Sequence, residues 1–128
     1  MMEIKRESTM PYVYPGASAM THWPLRRVAV LGDSMRPALE AGDRLLVAGF
    51  LRPRPGDVVA LLDPRERSRV MVKRVAAVDP GDGRLTVVGD NPTASTDSRT
   101  FGPVDRGLVL GRVIYRYWPE ERRGRLKG

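Results

Sequence analysis

Val70-Met71-Val72-Lys73-Arg74-Val75-Ala76-Ala77-Val78, then Asp79-Pro80-Gly81-Asp82-Gly83, then Arg84-Leu85-Thr86-Val87-Val88 reads as strand, turn and returning strand. Valines lose side-chain freedom in a helix and pack well on a pleated surface. The Asp/Pro/Gly cluster between the two runs supplies turn conformations. Working outward, the same pattern recurs. Val28 to Leu31 is a short apolar run. Gly42-Asp43 opens Arg44-Leu45-Leu46-Val47, and Pro55-Gly56-Asp57 opens Val58-Val59-Ala60-Leu61-Leu62. Asp63 to Ser68 reads as a charged loop, and Leu108 to Tyr117 as an alternating closing strand. Only Pro37 to Ala41 suggests a helical turn. Short strands punctuated by Gly and Pro predict an all-β fold with few or no helices.

Three segments are expected. Residues 1–25 lack periodicity and read as a flexible N-terminal arm, residues 26–118 as the domain, and residues 119–128 as a basic, solvated tail. The triplet Ala17-Ser18-Ala19 in the arm is of a kind that processing proteases cut.

Composition removes several chemistries. The chain of 128 residues has no cysteine, which excludes disulfides, a thiol nucleophile and thiolate metal sites. His22 is the one histidine and reads as a polar residue beside Trp23-Pro24, so neither a metal nor a cofactor is expected. The net charge is +7, but the basic residues are spread out and lack interleaved aromatics, so no nucleic-acid partner is expected. No transmembrane segment is visible, nor the continuous apolar core of a signal peptide. A cytoplasmic location is the expectation. Of 22 basic residues, three are lysine: Lys5 and Lys127 near the termini, and Lys73 inside the apolar run. Lysine, unlike arginine, can lose its proton when buried.

Two further stretches carry chemistry. Gly32-Asp33-Ser34-Met35-Arg36-Pro37 places a serine in a turn between apolar runs. Gly89 to Pro103 is a polar loop bearing Asp90, Asn91, Ser95, Asp97, Ser98 and Arg99, and a long polar loop in a small domain is commonly functional. Asp97 and Arg99 are placed to form a fixed ion pair, and Phe101-Gly102-Pro103 to anchor the loop's far end. A serine hydroxyl needs a base to become a nucleophile. Lys73 is the candidate. In a strand it shares a face with Met71, Val75 and Ala77, while Arg74 points the other way beside Val72 and Ala76. Burial among apolar groups lowers a lysine pKa from ~10.4 toward ~7–8, a cost of roughly 4 kcal/mol in disfavoured charge.

Gly-Asp-Ser-Met-x-Pro, Gly-Asp-x-Val-Val, Lys-Arg-Val and Gly-Asp-Asn-x4-Asp-Ser-Arg, in that order from Leu31 to about Arg112, resemble the boxes of the signal peptidase I family of Ser-Lys proteases. The resemblance implies coiled antiparallel sheets like those of signal and repressor peptidases. It implies that Ser34 is the nucleophile and Lys73 its base, that the Ser34 N–H serves the oxyanion hole, and that Ser95 orients the lysine. It also implies that Asp97 and Arg99 brace the loop and that Met35 lines the site. Some members add a side-chain hydroxyl two positions before the nucleophile; Gly32 cannot. A short, arginine-rich form with no anchor is most similar to the maturation proteases of nickel-type superoxide dismutase. The partner then implied is a protein substrate with an N-terminal leader, a nickel superoxide dismutase precursor, cut after a small residue. The alternatives are a leader peptidase acting at the membrane with a partner, a self-cleaving repressor-like domain, and an all-β binding module.

Overall fold

The computed structural model describes residues 3–6 as backbone and residues 25–126 in full. Among the described residues, seven strands form one antiparallel sheet: β1 (Glu3–Arg6), β2 (Leu25–Leu31), β3 (Arg44–Ala48), β4 (Val58–Asp63), β5 (Glu66–Val78), β6 (Leu85–Val88) and β7 (Val109–Trp118). Their spatial order is β1-β2-β3-β7-β4-β5-β6, and a further β1–β5 pairing closes the first six into a ring. Closure leaves β6 outside, hydrogen-bonded to β5. The mainly-β class expected from the sequence is what the structure has. Among the described residues helix is confined to short turns, among them α1 (Ser98–Phe101).

The long valine run organises the core because both of its faces are covered. Val70 and Val72 of β5 join Val28, Val30, Leu45, Val47, Val58, Ala60 and Val113 in one buried cluster, with Met35 and Leu39 added from the serine turn. Met71 and Val75, on the opposite face, join Val59, Leu61, Leu85, Val87, Val104 and Leu108 in a second cluster. Phe101 packs against this second cluster, as the anchoring role expected of it requires. Each fully buried aliphatic side chain contributes roughly 1.5–3 kcal/mol. Two clusters sharing one strand therefore fix that strand's register firmly, and Lys73 sits in its middle.

Several local expectations are corrected. Ala77 is exposed rather than sharing Lys73's buried face, because a bulge in the β5–β6 ladder between Val75 and Ala77 shifts the alternation. The charged loop expected over Asp63 to Ser68 is a tight hairpin in which Asp63 pairs with Glu66. Buried Asp63 is satisfied there by the Arg65 guanidinium at 2.8–3.0 Å. Pro37 to Ala41 forms no helix, though one helix-like bond, Leu39 N–H to the Met35 carbonyl at 2.9 Å, closes the turn before it.

At the C-terminal end, Arg122 does not hang in solvent. It donates to both oxygens of Asp43, at 2.6 and 3.1 Å. That carboxylate is buried and also receives Arg116 at 3.3 Å and the Glu40 N–H at 2.9 Å. A buried carboxylate needs such partners, and they tie residues after β7 to the loop before β3. Of the N-terminal arm, Glu3–Arg6 pairs with β2 and β5. His22 and Ala17-Ser18-Ala19 lie outside the described residues.

Candidate active site

β2 ends at Leu31 and the chain reverses through Gly32, whose φ of 86° belongs to the region that favours glycine. This backbone requirement explains why no side-chain hydroxyl stands at that position. Arg36 N–H donates to the Asp33 carbonyl at 3.1 Å, folding the turn that carries Ser34. The end of β6 meets this turn. Asn91 N–H donates to the Ser34 carbonyl at 2.8 Å, Asn91 Nδ2 to the Asp33 carbonyl at 3.0 Å, and Asp90 N–H to Met35 Sδ at 3.4 Å. Met35 is itself fully buried. It therefore supports the turn from inside the core as well as standing next to Ser34.

Lys73 reaches this turn from mid-β5, opposite Val59 of β4. Its Nζ lies 3.0 Å from Ser34 Oγ and 3.1 Å from Ser95 Oγ. Ser34 and Lys73 are both inaccessible to solvent. Burial pushes the lysine pKa down to about 8; the Asp97 charge opposes this and the Arg99 charge adds to it. An amine held there is substantially neutral at a slightly alkaline pH.

Ser95 donates to Asp97 Oδ2 at 2.6 Å. Asp97 also accepts the Gly89 N–H at 2.7 Å and a forked pair from Arg99, Nε at 2.9 Å and Nη2 at 2.6 Å. Burial alone would raise the Asp97 carboxyl. The bonds from Arg99, Ser95 and two backbone N–H groups outweigh it and hold the carboxyl well below the usual carboxylate range. Because an ionised carboxylate only accepts, the Ser95 proton points at Asp97 and its oxygen is left to accept from Lys73. The structure thus brings Ser34, Lys73, Ser95, Asp97 and Arg99 into one connected network, with Met35 beneath it.

Local patterns place Gly89 and Asn91 in the supporting stretch and Arg74 on the face opposite Lys73, but they assign none of the three a role of its own. Gly89 lies so close to Ser95 that an added Cβ would overlap its hydroxyl, and it would stand 2.7 Å from the Ser34 carbonyl oxygen. Asn91 grips two consecutive carbonyls of the serine turn. Arg74, on the face opposite Lys73, binds both oxygens of Asp90 at 2.9 Å and the Gly56 carbonyl at 2.8 Å. The Gly-Asp-Asn run of the third stretch was the available signal for all of these, since each of its residues has a different partner.

The family model described as signal peptidase, peptidase S26, matches residues 13–83 and 81–118. The chain belongs to the signal peptidase S26 family. Relatives within it include the mitochondrial ATP-independent inner membrane protease subunit 1a of Arabidopsis thaliana, 36% identical over 123 residues and covering 77% of this chain and 73% of the relative. The mitochondrial inner membrane protease subunit 1 of Schizosaccharomyces pombe is 32% identical, covering 69% of this chain and 70% of the relative. The human subunit 1 is 29% identical, with 69% and 66% covered. Peptidase family and protease relatives together make this chain a peptidase.

Two expectations change. A cytoplasmic location is overturned by relatives that are inner-membrane proteases. Among the described residues no helix is long and apolar enough to cross a membrane, which does not argue for the cytoplasm. The resemblance to nickel superoxide dismutase maturation proteases narrows the family further than these relatives support.

Proposed function

We propose that this protein is a Ser-Lys endopeptidase that removes N-terminal leaders at a membrane face, cutting after a small residue and working with a partner chain. The observation that carries the reading is the 3.0 Å approach of the buried Lys73 amine to the Ser34 hydroxyl. The subunit names of the relatives favour membrane and partner.

In this mechanism neutral Lys73 takes the Ser34 proton as Oγ adds to the scissile carbonyl. Its remaining N–H groups stay directed by Ser95, which Asp97 holds in the accepting orientation. The Ser34 N–H faces the developing oxyanion. Collapse breaks the C–N bond, and the Lys73 ammonium returns its proton to the leaving amine. A water then gives a proton to Lys73 and attacks the Ser34 ester. The acid product leaves, and the proton goes back to Ser34 Oγ. One base serves both halves, so the rate should follow the neutral fraction of Lys73.

The test is mass analysis of leader-bearing precursors incubated with the protein, with Ser34→Ala and Lys73→Ala beside it. Both variants should be inactive, and processing by either at the parent rate ends the proposal. A nickel superoxide dismutase precursor forms a second arm; its selective cleavage would restore the narrower substrate. A purely soluble cellular pool at ordinary salt would count against work at the membrane.

A further inference from the structure

We propose that Asn91 is a positioning residue for the oxyanion donor: its side chain sets the plane of the Asp33–Ser34 peptide. This rests on the Ser34 and Lys73 roles above and extends them to a residue they do not use.

The geometry is direct. In a trans peptide the C=O and the N–H are coplanar and point opposite ways. Whatever holds the Asp33 carbonyl therefore aims the Ser34 N–H. Two donors hold it: Arg36 N–H at 3.1 Å and Asn91 Nδ2 at 3.0 Å. The Arg36 bond lies inside the turn and moves with it. The Asn91 bond comes from 58 residues away, on the segment that also bears Ser95 and Asp97. It relates the donor's direction to the base. Asn91 N–H, bonded to the next carbonyl, that of Ser34, at 2.8 Å, makes the grip two-point. Losing the side chain leaves one point, about which the turn can pivot. Thr93 Oγ1 stands 3.3 Å from Asn91 Oδ1, and this keeps the amide nitrogen toward Asp33. Among the described residues no acceptor is hydrogen-bonded to the Ser34 N–H. With Gly32 contributing no side chain, the hole depends heavily on that one backbone donor.

Compare the parent with Asn91→Ala and Asn91→Leu, both of which keep the charge and the backbone N–H that bonds the Ser34 carbonyl, and include Ser34→Ala as control. Measure kcat and KM on a leader peptide that the parent cleaves, the pH midpoint of kcat, inhibition by a peptide aldehyde of the same leader sequence, and binding of the product acid. A single hydrogen bond controlling the donor predicts a fall in kcat of roughly tenfold. The aldehyde, whose adduct places an oxygen in the hole, should weaken by the same factor. KM, product binding and the pH midpoint should stay within twofold or 0.2 unit. Equal weakening of aldehyde and product, a moved midpoint, or an unchanged kcat would each overturn the inference. If Ser34→Ala cleaves as fast as the parent, the Ser-Lys reading itself falls; if only the Asn91 variants match the parent, that reading stands and this one fails.

Discussion

Replacing Lys73 with methionine should abolish cleavage yet stabilise the folded protein at neutral and acidic pH. The drop of the lysine pKa from 10.5 to about 8 corresponds to about 3 kcal/mol. Below pH 8 the side chain is protonated in folded and unfolded states alike, so folding bears the full cost of burying an ammonium. Between pH 8 and 10.5 the unfolded chain holds a proton that the folded chain has released, and stability rises with pH. Methionine removes the charge and keeps an unbranched apolar stem. It also forfeits the bonds to Ser34 and Ser95 at 3.0 and 3.1 Å, about 1 kcal/mol each. Lys73→Met should therefore be about 1 kcal/mol more stable than the parent at pH 6.5. That advantage should shrink by about 2 kcal/mol by pH 9.5, where the parent has shed most of its cost. Urea unfolding of both proteins at pH 6.5, 8 and 9.5 reads this difference, and other titrating groups cancel. Curves that stay parallel across the range would show that folding does not perturb this lysine.

Gly89→Ala should inactivate the protein and destabilise it by ~1–3 kcal/mol, because the new methyl meets Ser95 Cβ at 2.6 Å and the Ser34 carbonyl at 2.7 Å; thermal melting and precursor cleavage check both, and a fully active Ala variant would refute the close approach. Asp97→Asn should slow cleavage and move the alkaline rise in kcat to lower pH, since the Asp97 charge raises the lysine pKa; a rise that stays in place or moves upward would contradict that coupling.

Much of the barrel was legible because valine runs and Gly/Pro turns are local signals. The expected strands fall within or overlap the observed β2 to β7. The ring closure was not legible: it depends on Glu3 and Ile4 pairing with Met71 and Val70, and no local period reports such distant pairing. Asp43 reads as a turn residue from its Gly-Asp context, yet Arg116 and Arg122 converge on it from more than 70 positions away. In the site, Ser34 and Lys73 stood out by residue type, one as a turn serine and the other as the lone interior lysine. Gly89 and Asn91 stood out only as members of the Gly-Asp-Asn run, without roles, because their contributions are a close approach and a grip on backbone carbonyls. Residue type shows neither.

Lys73 is one of three lysines in the chain, which makes its protonation directly observable. The lysine Cε carbons, bonded to Nζ, report this by NMR in uniformly labelled protein, with the Lys73 signal assigned by its loss in Lys73→Met. This signal should titrate with a midpoint of about 8, in step with the rise of kcat. A Lys73 signal that titrates near ~10.4, the value of a free lysine, would contradict an amine poised to take the Ser34 proton.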